Sequence, residues 1–284
     1  MTRAEARPEV PAAFLGFFDD AATFPPGLQP MEKAVRDHVA RRENPLSPAV
    51  GPSVLSLADL PGARQIAAGI DLQGRPVEVS AVVPPGALAE ALAAVRANGP
   101  ALTVVALELK TDPETDPGAN PEVREAAAAG MEVFVELATG QIRTGGLAYL
   151  AEAGLRLKYR TGGIEAHLFP SCAELAEVIC AAVSAGVPFK LTAGLHEAVR
   201  YTNEATGFTH HGFLNIAAAT SAARAGQAPD SVAALLEATD SGTLAGSVDP
   251  AGTWRDSFRS FGTCSVAEPA DSLARIGLFP AGLA

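Results

Sequence analysis

The chain has 284 residues, with 21 lysines and arginines against 32 aspartates and glutamates, so its net charge is −11 at pH 7. This acidity disfavours nucleic acid and anionic membrane surfaces as partners. Apolar residues make up 48% of the chain, which is typical of a globular fold. No uninterrupted apolar run reaches the roughly 20 residues that span a bilayer. An anionic small-molecule substrate would therefore be bound by a few inward-facing cations and backbone N–H groups.

The N-terminus and the cysteines indicate the cytoplasm. The first ten residues mix both charges with prolines and lack the apolar segment of a secretory signal. Cys172, Cys180 and Cys264 are odd in number and lack metal-type spacing, which fits a reducing compartment without disulfides. The sequence leaves the oligomeric state open, a homo-oligomer included.

Eight short apolar runs, each followed by a helical pattern, predict eight β-then-α units. The runs are Phe14–Phe18, Pro52–Leu57, Val77–Val83, Leu102–Leu109, Glu132–Leu137, Leu155–Tyr159, Pro188–Thr192 and Phe258–Cys264. The helical patterns lie near 30–42, 58–69, 86–98, 120–129, 143–153, 171–185, 211–225 and 268–276. This spacing is typical of a (β/α)8 TIM barrel, and the runs are too apolar for half-exposed antiparallel strands. We therefore predict one α/β barrel domain over residues 1–284.

The spacing between predicted strands is broken once, between the seventh and the eighth. The extra stretch, about 195–256, contains three of the five histidines and a predicted pair of helices. Long βα connections in such barrels lie over the C-terminal mouth and tend to carry substrate specificity. We predict that this excursion forms a lid or a wall of the pocket, whereas the Pro/Asp-rich segment 111–121 reads as a solvated connection.

Two lysines lie inside apolar strands, where an unpaired charge would be costly. Residues two apart in a strand share a face, so Lys158 lies on the same side as Arg160, and Lys190 on the same side as Thr192. The opposite faces are apolar and suit the packing of helices. We predict that the polar set faces the barrel interior, near the C-terminal ends where such barrels hold their chemistry.

Carboxylates are predicted to meet these cations from across the barrel. Glu108 ends the fourth strand and Glu136 the fifth, while Asp19 and Asp20 follow the first. A desolvated ammonium beside another cation has a lowered pKa, as an imine-forming nucleophile requires, and a nearby carboxylate can relay protons. The alternative is that the lysines form structural ion pairs with Glu108 and Glu136.

Four motifs at strand ends carry a family resemblance. They are Lys158-x-x-Thr161-Gly162, Lys190-x-x-Ala193-Gly194, Phe261-Gly262-Thr263-Cys264-Ser265 and the opening Asp19-Asp20-Ala21-Ala22-Thr23-Phe24-Pro25. Together they resemble the deoxyribose-phosphate aldolase type of class I aldolase. The resemblance implies that Lys158 forms a Schiff base and that Lys190 lowers its pKa. It also implies that backbone N–H groups of Gly194, Gly262 and Ser265 hold a phosphate or a similar anion.

The chain departs from that family at three places. Glu108 stands where the family has an aspartate, Arg160 stands where it has a small residue, and the excursion has no counterpart. A guanidinium at position 160 favours a carboxylate or phosphate on the substrate. We therefore predict a distant branch of these aldolases with a different substrate.

Other candidates for substrate binding surround the ends of strands six and seven and the excursion. They are Thr161, Gly162, Gly163, Thr192, Gly194, His196, His211 and Asn215. His196, His210 or His211 could act as an acid or base, or bind a divalent metal with Glu197 or Glu136. No His-x-x-x-His or Cys-x-x-Cys spacing supports a metal, and none is predicted.

Three functional hypotheses follow. The leading one is a lyase that forms an imine between Lys158 and a small carbonyl compound and catalyses reversible carbon–carbon cleavage or a related proton transfer, without metal or organic cofactor. The second is a metal-assisted isomerase or hydrolase that uses the histidines. The third is a barrel that binds an anion without catalysis, since the fold hosts many functions.

Overall fold

Eight parallel strands form a closed barrel in the computed structural model, which describes residues 9–249 and 251–280. In chain order the ten strands of the described residues are β1 (Phe18–Asp20), β2 (Val50–Ser56), β3 (Val77–Val83), β4 (Leu102–Lys110), β5 (Glu132–Glu136), β6 (Arg156–Arg160), β7 (Phe189–Thr192), β8 (Tyr201–Thr202), β9 (Thr209–His210) and β10 (Phe258–Thr263). Two of these strands, β8 and β9, form a separate two-stranded sheet. The barrel order is β1-β2-β3-β4-β5-β6-β7-β10, and β10 pairs with β1 to close it. The predicted (β/α)8 fold is confirmed.

Helices alternate with the barrel strands. They are α1 (Met31–Ala40), α2 (Leu60–Ala68), α3 (Leu88–Arg96), α4 (Pro121–Ala126), α5 (Thr139–Arg143), α6 (Gly146–Ala153), α7 (Cys172–Ser184), α8 (Phe213–Arg224), α9 (Pro229–Glu237), α10 (Ser241–Ser247) and α11 (Ala267–Arg275). Helix α7 begins at a capping box in which Ser171 and Glu174 satisfy each other's backbone N–H groups. The helix predicted near 143–153 is α6, which begins three residues later than predicted because Gly145 at φ +98° separates it from the short helix α5.

The first strand differs from its prediction over Phe14–Phe18, since it spans Phe18–Asp20. Gly16 at φ +56° turns the chain before it. Phe14 and Phe17 instead pack edge-on against Trp254, with ring centroids 6.2 and 5.1 Å from it. Phe14 and Phe17 thus belong to an aromatic cluster at the barrel wall, whereas Asp19 and Asp20 lie within β1.

The excursion between β7 and β10 has two parts. Its first part, 196–210, contains the antiparallel hairpin of β8 and β9 and lies at the cavity in the barrel mouth. Its second part contains α8, α9 and α10, where α9 packs against α7 and α8, and α10 packs against α8. The predicted lid or wall over 195–256 is therefore limited to the hairpin segment, because the three helices lie on the outer layer.

Helix α7 belongs to an apolar segment of the outer layer. The stretch 166–184 that contains it is long and apolar enough to cross a membrane by length and composition. In the barrel, its Leu175, Ile179 and Ala182 are buried in the hydrophobic core. The helix is therefore a core helix of the barrel.

Candidate active site

Polar residues of four neighbouring strands lie at one level of the barrel. In the register of the sheet, Glu136 on β5 is the partner of Lys158 on β6, and Lys158 is the partner of Lys190 on β7. Lys190 is in turn the partner of Ser260 on β10. Because adjacent parallel strands in register present the same face at the same level, these side chains converge in the interior.

Glu108 bridges the two lysines. Its Oε2 lies 2.9 Å from Lys158 Nζ, and its Oε1 lies 2.5 Å from Lys190 Nζ. The Ser80 hydroxyl donates a hydrogen bond of 2.7 Å to Glu108 Oε1. All three charged residues are at most 3% exposed. The carboxylate is thus fully engaged and pairs with both buried cations at once.

The ion pairs continue on both sides of Glu108. Asp19 Oδ2 lies 2.7 Å from Lys190 Nζ and accepts a 2.7 Å hydrogen bond from Ser260. On the other side, Glu136 Oε2 lies 3.0 Å from Lys158 Nζ. We call Asp19, Lys190, Glu108, Lys158 and Glu136 the ion-pair network; all five predicted catalytic residues lie in it.

Arg160 extends this network toward solvent. Its Nε lies 3.7 Å from Glu136 Oε1, and its Nη1 donates a 3.3 Å hydrogen bond to the Gly162 carbonyl. The side chain is 38% exposed, in contrast to the buried lysines. Arg160 is therefore a cation beside the ion-pair network that a ligand in the cavity can reach directly.

The charge state of Lys158 differs from the expectation. Burial alone would lower its pKa, but the carboxylates of Glu108 and Glu136 outweigh burial and raise it. Lys190 acts in the predicted direction, lowering the pKa, yet its effect is smaller than that of either carboxylate. The predicted lowering is wrong, because two carboxylates approach the ammonium as closely as hydrogen-bond partners.

The pKa values of Glu108, Lys190 and Asp19 in the ion-pair network are also shifted. Burial favours neutral Glu108, but the charges of Lys158 and Lys190 outweigh it and hold the pKa of Glu108 well below its usual value. Asp19 and Glu108 likewise outweigh burial and raise the pKa of Lys190. Burial raises the pKa of Asp19 despite the attraction of Lys190. Lys158, Lys190 and Glu108 are thus held in their charged forms at neutral pH.

Three residues around the network were missed by sequence reasoning. Besides Ser80 and Ser260, the Phe134 ring lies with its centroid 5.2 Å from Lys190 Nζ, within cation–π range. The serines interrupt predicted apolar strands, and this signal could have found them. Phe134 gives no such signal, since an aromatic residue in a strand is usually a core residue.

A cavity of about 840 Å³ opens above Lys158 and Lys190. One side is apolar and is formed by Phe24, Pro25, Pro26, Val54 and Val82, from β2, β3 and the segment after β1. The other side carries polar and cationic residues of β4, β6 and β7. The predicted site residues among its lining are Glu108, Lys158, Arg160, Gly163, Lys190, Thr192, Gly194, His196 and Gly262.

Two predicted residues of the strand-six turn do not line this cavity. The Thr161 hydroxyl donates a 2.7 Å hydrogen bond to the carbonyl of Ala193, a residue held at φ +64°. At Gly162 an added Cβ would lie 2.9 Å from Phe169 and 3.1 Å from Gly194 Cα. Both residues therefore hold the turn after β6 against the turn after β7, and their role is structural.

His211 and Asn215 also lie outside the cavity. Nε2 of His211 donates a 2.8 Å hydrogen bond to the Pro170 carbonyl, and burial lowers the pKa of His211 to about 4. The Asn215 side chain donates hydrogen bonds of 2.8 and 2.7 Å to the carbonyls of Leu235 and Ala238. Neither side chain therefore lines the cavity as predicted, because each is hydrogen-bonded to backbone carbonyls of the outer layer.

The predicted phosphate turn is divided between two cavities. Gly194 and Gly262 line the large cavity, whereas Ser265 lines a smaller one of about 200 Å³. The smaller cavity also contains Asp20, which pairs with His38 and Arg41 at 2.9 and 2.7 Å. Ser265 is thus turned away from the lysines, and the three residues do not form one anion site.

The hairpin segment supplies a wall of aromatic and imidazole rings. His210 donates from Nδ1 to the Gly194 carbonyl at 2.9 Å and stacks on Tyr201 with ring centroids 4.9 Å apart. Burial raises the pKa of Tyr201 to about 12, which keeps its hydroxyl protonated. His196 lies beside them and bonds Glu268 at 2.8 Å. Acid–base side chains of the hairpin segment therefore line the same cavity as the lysines.

Within residues 9–249 and 251–280, no group of three or more His, Cys, Asp or Glu side chains is arranged to hold a metal ion. The histidines near the mouth are instead hydrogen-bonded to a carboxylate or to backbone carbonyls. Comparison of the chain with protein-family models, with curated proteins and with solved structures finds no match in any of the three.

Proposed function

We propose that the protein is an imine-forming lyase of the class I aldolase type. In this proposal Lys158 condenses with the carbonyl group of a small anionic substrate, and the barrel cleaves or forms the carbon–carbon bond next to it. The observation that carries the proposal is the position of Lys158. Its ammonium is buried at the base of a cavity of about 840 Å³, between two carboxylates.

Formation of the imine begins with loss of a proton from Lys158. Oε2 of Glu136 is the acceptor of choice, because it lies 3.0 Å from Nζ and accepts no competing hydrogen bond within the described residues. The free amine adds to the carbonyl carbon, and the proton then leaves with the carbinolamine oxygen as water. Ammonium and carbonyl thus become iminium and water with no net change of charge.

The carboxylate of Glu108, which raises the pKa of Lys158, would also stabilise the iminium. The iminium carries the positive charge that the ammonium carried, so the pairing with Glu108 is kept. When the carbon–carbon bond breaks, its electron pair flows to the iminium nitrogen and leaves an enamine. The buried nitrogen of Lys158, paired with a carboxylate, can therefore accept this electron pair as an iminium. In the resting protein only a small fraction of Lys158 is the free amine.

Arg160 and Lys110 are the cations that line the cavity beside Lys158 and Lys190. Arg160 lies two residues beyond Lys158 on the same face of β6. A carboxylate close to the substrate carbonyl can pair with this guanidinium while the carbonyl reaches Lys158. This placement supports an anionic carbonyl compound as the substrate.

The paired state of Lys158 also favours a second candidate function. A lysine whose pKa is raised can bind a carbonyl-bearing anion by charge alone, without forming a covalent bond. The barrel would then bind a ligand without turning it over. Covalent trapping separates this candidate from the lyase.

The test is reductive trapping. The protein is incubated with pyruvate and a panel of other aldehydes and ketones in the presence of borohydride, and the labelled residue is located by peptide mass mapping. We expect a stable adduct on Lys158 and none in the variant Lys158→Met. Lys33→Met is the matched control, because Lys33 is exposed on α1 and paired with Asp37. Failure of the whole panel to label Lys158 would refute the lyase.

A further inference from the structure

We propose that His196 is the acid–base residue that moves the substrate proton in this reaction, and that Glu268 positions its ring. The inference rests on the proposed function, since it assigns a role on the substrate that Lys158 has bound. Both residues line the same cavity as Lys158 and Lys190. They come from outside the ion-pair network, from the segment after β7 and the first turn of α11.

The geometry sets the tautomer of His196. Nδ1 lies 2.8 Å from Glu268 Oε2, and a carboxylate oxygen accepts, so Nδ1 carries the proton of this bond. The neutral ring then has its lone pair on Nε2. A carboxylate at one ring nitrogen also stabilises the imidazolium that forms when the other takes a proton. The side chain is 16% exposed, so the ring is held within the wall of the cavity.

The carboxylates of the ion-pair network are poorly suited to this task. Glu108 uses both oxygens on Lys158 and Lys190 and also accepts from Ser80. Asp19 uses Oδ2 on Lys190 and Ser260. Glu136 accepts the proton of Lys158 during imine formation in the proposed function. We therefore assign the base for the substrate to the hairpin segment, whose His196 and His210 line the same cavity.

His210 is the competing histidine of that segment, and its surroundings disfavour it. Its Nδ1 donates to the neutral Gly194 carbonyl, so no carboxylate supports a charged ring. The ring packs between Tyr201 and Phe169, with centroids 4.9 Å away in both cases. Burial lowers its pKa, which weakens it as a base. His196 is therefore the better-placed base.

The proposed step balances without any co-reactant. Nε2 of His196 takes the proton of a hydroxyl on the carbon beta to the iminium. The bond between the alpha and beta carbons breaks, its electron pair moves to the nitrogen of Lys158, and the carbonyl product leaves. The imidazolium then returns the proton to the alpha carbon of the enamine, which restores the iminium for hydrolysis.

The experiment uses pyruvate in D2O, with two readouts on the full chain. Borohydride labelling measures imine formation at Lys158, and proton NMR measures exchange of the methyl hydrogens, which needs the base. We expect His196→Asn to label normally and to exchange about 100-fold more slowly. Glu268→Gln, at a half-exposed position, should slow exchange about tenfold and tests the inference without disturbing the core. His167→Asn is the matched control, because His167 pairs with Glu165 on the surface at 3.3 Å.

The outcomes separate this inference from the proposed function. Normal labelling with unchanged exchange in His196→Asn overturns the role of His196 and leaves the lyase intact. Loss of labelling in that variant assigns His196 to imine formation and overturns the inference too, as does wild-type labelling without exchange. Absence of any label on wild-type Lys158 with the whole panel of carbonyl compounds overturns both.

Discussion

The Nζ atom of Lys158 lies 2.9 Å from Oε2 of Glu108, and both groups are almost fully buried. This contact holds the lysine as an ammonium and would hold an iminium in the same way. The charge of Glu108 is therefore the property that links the resting structure to the proposed chemistry.

Removing that charge tests the link. We expect Glu108→Gln to decrease the yield of borohydride-trapped adduct on Lys158 at least tenfold, because the amide cannot stabilise the iminium. The measurement is intact mass after reduction with pyruvate. Glu132→Gln is the control, since Glu132 pairs with Arg156 at the opposite end of β5. Equal labelling of Glu108→Gln and wild type would contradict the stabilising role.

Glu136 should affect the rate of imine formation and not its extent. If Glu136 accepts the proton of Lys158, Glu136→Gln slows labelling by about 100-fold while the final yield stays near that of wild type. A time course of reduction with cyanoborohydride measures both quantities. Glu165→Gln, on an exposed turn, is the control. A fall in yield at unchanged rate would show that Glu136 stabilises the product instead.

Arg160 should decide between charged and uncharged carbonyl compounds. For Arg160→Met, we expect the half-saturating concentration of pyruvate in the labelling assay to rise at least tenfold. That of hydroxyacetone, which has no carboxylate, should stay unchanged. Arg143→Met controls for loss of a surface arginine, because Arg143 is exposed and paired with Glu177. Equal effects on the two compounds would argue against carboxylate binding at Arg160.

Lys190 should contribute strongly to stability. Lys190→Met leaves Asp19 and Glu108 without a shared buried cation, and losing one partner of such a pair costs about 3–5 kcal/mol in free energy of unfolding. Urea titration at pH 7 measures it. The exposed pair of Lys33 and Asp37 is the control, where Lys33→Met should change stability by less than about 1 kcal/mol. Similar costs for the two variants would contradict the buried ion pairs.

The buried neutral His211 predicts a loss of stability in acid. Its folded-state pKa of about 4 lies below the ordinary value of 6.5, so between these values the unfolded chain binds the proton and the folded chain does not. Stability is therefore lost as pH falls from 6.5 to 4, by about 3 kcal/mol in total. His211→Gln should remove this part of the pH dependence, whereas His167→Gln at the surface should keep it. The comparison is made by urea unfolding at a series of pH values, and a profile unchanged in His211→Gln would refute the assignment.

Much of the fold follows from the sequence, because most barrel strands are buried on both faces and read as short apolar runs. The period of two within a strand also predicts that Lys158 and Lys190 point inward. The predicted first strand lies too early in the chain. Phe14 and Phe17 are apolar because they pack against Trp254, and they do not belong to a strand. Apolar character alone does not distinguish a strand from a segment that packs on the barrel wall.

The sequence by itself therefore determined the barrel, the inward lysines and the carboxylates that end neighbouring strands, because these depend on local periodicity and strand order. Only the tertiary structure decided the charge state of Lys158, which depends on whether Glu108 and Glu136 approach within about 3 Å across the closed barrel. It also decided which turn residues face the cavity, since Ser265 and Thr161 are directed elsewhere by hydrogen bonds and by the course of the backbone. Electrostatic energies and side-chain access depend on distances between strands, and those distances exist only in the folded chain.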